Sequence, residues 1–186
     1  MTEITRCSWG ENADELYQTY HDQEWGKLNL NEQYLYEMLV LETFQSGLSW
    51  STILHKRENF RHDFANFDVE KVAKFNTNDF SHLVNDKGIV RNKLKIKAAI
   101  NNAQVLVNWH HQGKTFAQFL VYFVPIPIDH HPHALTDIPS STDLSKTISK
   151  EMKKLGFKFV GPTTIYSFLQ AVGLVNDHLD GCSFRK

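Results

Sequence analysis

Only two cysteines occur in the chain, Cys7 and Cys182, 175 positions apart. They make no disulfide framework, so a reducing cytoplasm is the expected compartment. No stretch approaches the roughly 18 consecutive apolar residues of a membrane-spanning helix. The opening MTEITRCSWGEN lacks the apolar centre of a secretory signal. Internal repeats and low-complexity tracts are absent as well. What remains is a globular composition, 41% hydrophobic and 22% charged over 186 residues. One domain spanning 1–186 is expected, long enough to bury a core without covalent staples.

A strong net charge is also lacking, the total being −1, but the distribution is uneven. Residues 1–42 hold nine acids against two bases, whereas 86–97 and 146–158 each hold five bases and one acid. Such segments serve either as solvated lysine faces or as the electrostatic footprint of a polyanion-binding protein.

Hydrophobic spacing predicts an all-α fold. Residues 31–45 put Leu35, Met38 and Leu39 on one helical face. Segments 69–75 and 77–86 begin at the cap-type residues Asp68 and Thr77, and 92–112 runs toward a stop at Gly113. Residues 116–124 suit a buried helix or a strand. The Pro- and Ser/Thr-rich stretch 125–143 is expected as a surface loop, with solvated histidines in its DHHPH run. Two further helices follow, stopping at Gly156 and Gly173.

Each cysteine has a histidine nearby: Cys7 with His21, and Cys182 with His178. Two thiolates and two imidazoles form a closed tetrahedral set for one structural Zn²⁺. If 178–182 were one helical turn, His178 and Cys182 would share a side. Such an ion would clasp the two ends of the chain, which otherwise fray. His110, His111, His130, His131 and His133 are alternative ligands, and two buried free cysteines are a common alternative outcome.

Glu42 is a second anomaly, because seven residues after Leu35 it points along the apolar stripe. Neither Met38 nor Ser46, at i±4, offers a cation. A buried carboxylate costs several kcal/mol unless paired, bonded or neutralised, which suggests an acceptor inside a pocket. Trp50, Trp9, Tyr17 and Tyr20 lie close in sequence to Glu42 or to the Cys/His pairs. They could face that pocket or fill ordinary core.

The segments RCSW, YHDQEWG, LETFQSGLSW, ILHKRENF and LGFKFVGPTTIYSFLQAVGLVNDH, with the closing GC, resemble the bacterial DNA-3-methyladenine glycosylase I family from Cys7 to Cys182. The resemblance implies a helix-hairpin-helix DNA glycosylase fold, with a hairpin at 155–161, and zinc on Cys7, His21, His178 and Cys182. It places Glu42 and Tyr20 at base-recognition positions, Glu42 as the catalytic residue, Trp50 as the stacking ring and Trp9 as a further pocket aromatic. Gly156, Gly161 and Lys158, with Lys153 and Lys154, would meet DNA phosphates, and Leu48 would fill the gap left by a flipped base.

The implied activity is monofunctional. 3-Methyladenine would be released from alkylated double-stranded DNA by a monomer, leaving an abasic site. Related hairpin enzymes use an aspartate and, in bifunctional members, a lysine; the aligned residues here are Asn176 and Thr163. Asp177 would orient either water or His178, the latter being favoured. The competing expectations are a zinc-stabilised binder of alkylated DNA that does not cut, and a metal-dependent hydrolase.

Overall fold

Every residue from Leu35 to Phe44 is buried, Glu37 and Glu42 included. This stretch is the centre of α3 (Glu32–Gln45) in the computed structural model, which describes residues 4–185. Glu3, one of the N-terminal acids counted above, lies outside that range. Helix α3 therefore has no single apolar stripe, because other elements surround it. They are α4 (Trp50–His55), α8 (Lys93–His111), α9 (Phe116–Phe123) and α11 (Pro162–Ala171). Glu37 is tolerated inside because Arg57 Nε and Arg61 Nε donate to it at 2.7 and 2.8 Å.

Several of the remaining helices start at side-chain caps. α1 (Ser8–Glu11) precedes α2 (Glu15–Gln23), where the Asp14 carboxylate accepts from Tyr17 N at 3.0 Å. α5 (Arg57–Asp63) leads to α6 (Val69–Val72), capped by Asp68 as expected, and then to α7 (Thr77–Asn85). Asn76 rather than Thr77 caps α7: its Oδ1 accepts from Asn78 N, and Asp79 accepts from Asn76 N, both at 2.7 Å. The ambiguous 116–124 segment is helical. Two of its free N-terminal donors, Phe116 N and Ala117 N, find Glu32 at 2.9 and 2.8 Å.

Residues 125–143 form a connection that is not wholly irregular. Its β1 (Ile128–Asp129) pairs in parallel with β2 (Val175–Asn176), with Ile128 opposite Val175. The loop histidines are not simply solvated. His130 Nδ1 meets Asp177 Oδ1 at 2.7 Å, while His131 and His133 meet Asp180 at 3.0 and 2.8 Å. α10 (Asp143–Lys154) and α11 then enclose the turn 155–161. Gly173, at φ +75°, abuts the 27–28 backbone so closely that a Cβ would lie 2.1 Å from Lys27 C. This contact draws the end of the chain onto its beginning, where Ser183 N donates to Thr5 O at 2.8 Å. Among the described residues no helix is long and apolar enough to cross a membrane.

Candidate active site and metal centre

Cys7, His21, His178 and Cys182 converge at one buried point, their donor atoms all within 4.8 Å of one another. The C-terminal pair is not on a helical turn. Residues 178–182 form an irregular turn in which Cys182 N donates to Leu179 O at 2.8 Å. The sulfur–nitrogen separations are 3.5 Å (Cys7–His178), 3.4 Å (Cys182–His178) and 3.7 Å (Cys182–His21). A tetrahedron with Zn–S about 2.3 Å and Zn–N about 2.0 Å has S···N edges of roughly 3.5 Å, so the donor set fits zinc.

The surroundings select the ligating nitrogens. His21 Nδ1 faces Asp22 Oδ1 at 2.8 Å, and His178 Nε2 donates to Trp25 O at 2.9 Å. His21 Nε2 and His178 Nδ1 are left facing the sulfurs. Burial lowers both histidines, His178 to about 4, and so holds them in the neutral ligating form. Burial also raises the Cys7 thiol to about 12, a cost that a bound cation would reverse by drawing out the thiolate.

Beside this cluster opens a pocket of 220 Å³, below the roughly 300–1,000 Å³ of drug-sized sites. Trp9 reaches it from α1, Tyr17 and Tyr20 from α2, Glu42 and Gln45 from α3, Trp50 from α4, and Ser167 and Gln170 from α11; Trp25 comes from the turn after α2. The pocket wall rests on this Cys/His cluster. Trp9 packs edge-on to His21 and Trp25 edge-on to His178, both with centroids 4.6 Å apart.

Glu42 is 5% exposed and has no hydrogen bond or ion pair among the described residues. Burial pushes its carboxyl up to about 8, so it is protonated at neutral pH. Tyr20, raised by burial and by Glu42, stays a phenol, with its ring 5.1 Å from that of Trp50. Trp50 Nε1 is a buried donor with no acceptor among the described residues. Unpaired polar groups beside open aromatic faces suit a flat, polar ring that can carry positive charge.

Comparison with known proteins matches residues 9–186 to the methyladenine glycosylase family model. The chain belongs to that family. DNA-3-methyladenine glycosylase 1 of Escherichia coli (strain K12) is 47% identical over 184 residues, covering 96% of each chain. A crystal structure of 3-methyladenine DNA glycosylase I superimposes with a TM-score of 0.93 at 44% identity, covering 96% of this chain and 98% of that one. A variant of 3-methyladenine DNA glycosylase I in complex with 3-methyladenine also gives 0.93, at 34% identity and 98% coverage of each. The expectation of a glycosylase enzyme holds.

In this glycosylase Glu42, Tyr20, Trp50 and Trp9 share one pocket, whereas Leu48, Gly156, Lys158 and Gly161 lie outside it. Leu48, 40% exposed, sits on the turn between α3 and α4. The 155–161 turn is braced from α8: Asn102 accepts from Lys158 N at 2.8 Å and donates to Lys158 O at 3.0 Å, and Asn101 donates to Gly156 O at 2.8 Å. Gly156, at φ +96°, makes a bend that other residues resist. Phe159, left-handed and 43% exposed, stands at the tip of the turn.

Sequence reasoning missed Trp25, Gln45, Ser167 and Gln170 as pocket residues. The signals were present: Trp25 follows His21 by four, and Ser167 and Gln170 are three apart on one helical face. Asp177 does not orient His178. It binds Tyr166 and Gln170 as well as His130, while Trp25 O orients His178. Neither Asn176 nor the exposed Thr163 lines the pocket.

Proposed function

We propose that this chain excises 3-methyladenine from alkylated double-stranded DNA and leaves an abasic site. The observation that carries the reading is the unpaired, buried Glu42 carboxyl beside the Trp50 and Tyr20 rings in a pocket of 220 Å³. Methylation at N3 makes the adenine of the nucleotide cationic. The flipped base, whose unstacking costs a few kcal/mol, stacks on Trp50 for about 0.5–2 kcal/mol of cation–π attraction. Glu42 surrenders its proton and faces the cation. Recognising the charged ground state is not in itself acceleration, so the rate must come from positioning and electrostatics that strengthen as the bond stretches.

As the glycosidic bond breaks, its electrons pass to the ring and the base departs neutral, so no acid is required. Water adds to the sugar carbon and loses a proton. Among the described residues Glu42 is the only carboxyl group lining the pocket, and no lysine lines it. The reading is therefore monofunctional, with no amine to attack the sugar and cut the strand. The Cys7, His21, His178 and Cys182 set would hold one structural Zn²⁺, since four protein ligands leave no open position for water.

The segments α10, 155–161 and α11 serve as a helix-hairpin-helix. Gly156, Gly161 and Lys158 approach a phosphate near the N-terminus of α11, and Leu48 fills the gap in the duplex. The working form is a monomeric single domain in a reducing cytoplasm. Incubating methylated duplex DNA with the protein and chromatographing the released bases tests the reading. Free 3-methyladenine with strands intact until alkali treatment is expected. Lesion binding without release would instead identify a binder.

A further inference from the structure

Gln170 is 9% exposed, lines the pocket, and donates through Nε2 to Asp177 Oδ2 at 2.6 Å. That carboxylate is 1% exposed; the Tyr166 hydroxyl donates to the same oxygen at 2.5 Å, and Oδ1 meets His130 Nδ1 at 2.7 Å. Asp177 Oδ2 accepts from both Tyr166 and Gln170, so the network fixes the amide of Gln170 one way round: nitrogen toward Asp177, oxygen away from it. Gln170 Oε1 has no donor among the described residues. Rotating the amide would set its carbonyl against a buried carboxylate oxygen and cost that oxygen one of its two donors.

Of the other polar groups of the wall, Trp50 Nε1 only donates, and the hydroxyl and carboxyl groups inside the pocket are not locked in this way. Toward a free, neutral base, a protonated Glu42, Ser167 and the tyrosine hydroxyls can each donate or accept. Gln45 is tied to Leu48 O at 3.2 Å near the exposed rim. Trp50 and Tyr20 stack on any purine.

We infer that Gln170 is a specificity-determining residue. Its Oε1 accepts from the exocyclic amino group at position 6 of an everted adenine and repels the carbonyl at that position in guanine. Asp177 is the positioning residue that keeps the amide in this sense. The inference rests on the proposal that the pocket takes an alkylated base, and it adds which purine is admitted. A buried site built to receive a donor rejects an acceptor by leaving both groups unpaired.

The test is a titration with free 3-methyladenine and free 3-methylguanine, followed by tryptophan fluorescence, in wild type, Gln170→Met and Asp177→Asn. The readout is the ratio of the two affinities measured on one preparation, which does not depend on the fraction folded. Wild type is expected to favour 3-methyladenine by at least about tenfold, roughly the worth of one hydrogen bond against an unpaired acceptor. Gln170→Met should bring the ratio close to one, mainly by weakening 3-methyladenine. Asp177→Asn, which frees the amide to turn, should lower the ratio in the same direction. A wild-type ratio near one, or a ratio unchanged in both variants, overturns the inference. Selective binding without base release from DNA refutes the proposed catalysis and leaves this inference standing. Release with unaltered ratios refutes this inference alone, and failure of wild type to bind either base refutes both.

Discussion

A carboxyl group that is 5% exposed, with no cation or donor paired to it among the described residues, keeps its proton at pH values where a free glutamate is ionised. The Glu42 value rises from 4.5 in the unfolded chain to about 8 in the fold. Between those limits the folded protein binds more protons than the unfolded one, so stability falls as pH rises through the window and levels off above it. Glu42→Gln, which cannot ionise, should match wild type below pH 4.5 and exceed it above pH 8 by on the order of a few kcal/mol. Urea denaturation across that range checks this, and parallel curves would mean the carboxylate is paired. The same substitution should cut kcat/KM for base release by roughly 10–100-fold, the worth of a charge-assisted bond. It should also abolish the decline in wild-type activity as pH falls below about 8.

At the scale of elements, the 155–161 turn owes its shape to α8 more than to its own residues. Asn102 satisfies both the N–H and the carbonyl of Lys158, so Asn102→Ala strands two backbone groups. A stability loss of about 1–3 kcal/mol is expected. Affinity for undamaged duplex should weaken while affinity for free 3-methyladenine holds. Anisotropy with a labelled duplex, beside a free-base titration, separates the two; equal losses would detach the turn from DNA binding. Lys158→Ala should leave the fold intact and lower the salt dependence of duplex binding by about one ion.

Over the whole molecule, the Cys/His cluster joins residues 171 and 161 positions apart, Cys7 to His178 and His21 to Cys182. It also backs the pocket, because Trp9 and Trp25 lean on its imidazoles. Cys182→Ser, or a chelator, should therefore lower zinc content and Tm and shift tryptophan fluorescence. Chemistry in the molecules that remain folded should change less. Unaltered zinc content and Tm in Cys182→Ser would remove the clasp from this account.

The sequence alone determined what depends on near neighbours and on residue chemistry. Helical spacing and Asp68 announced most elements, the sparse Cys/His pairs announced a metal set, and an acid among apolar residues announced Glu42. Local signals failed where distant groups competed. Glu32, 84 positions before Phe116, joined the local Thr115–Gln118 capping box at the start of α9. Loop histidines found aspartates about 47 positions away, and Asp177 turned toward Gln170 rather than His178. Only the tertiary structure could decide these partners, because a buried polar group takes whichever complementary group packing brings within hydrogen-bond reach, and chain spacing carries no record of that distance.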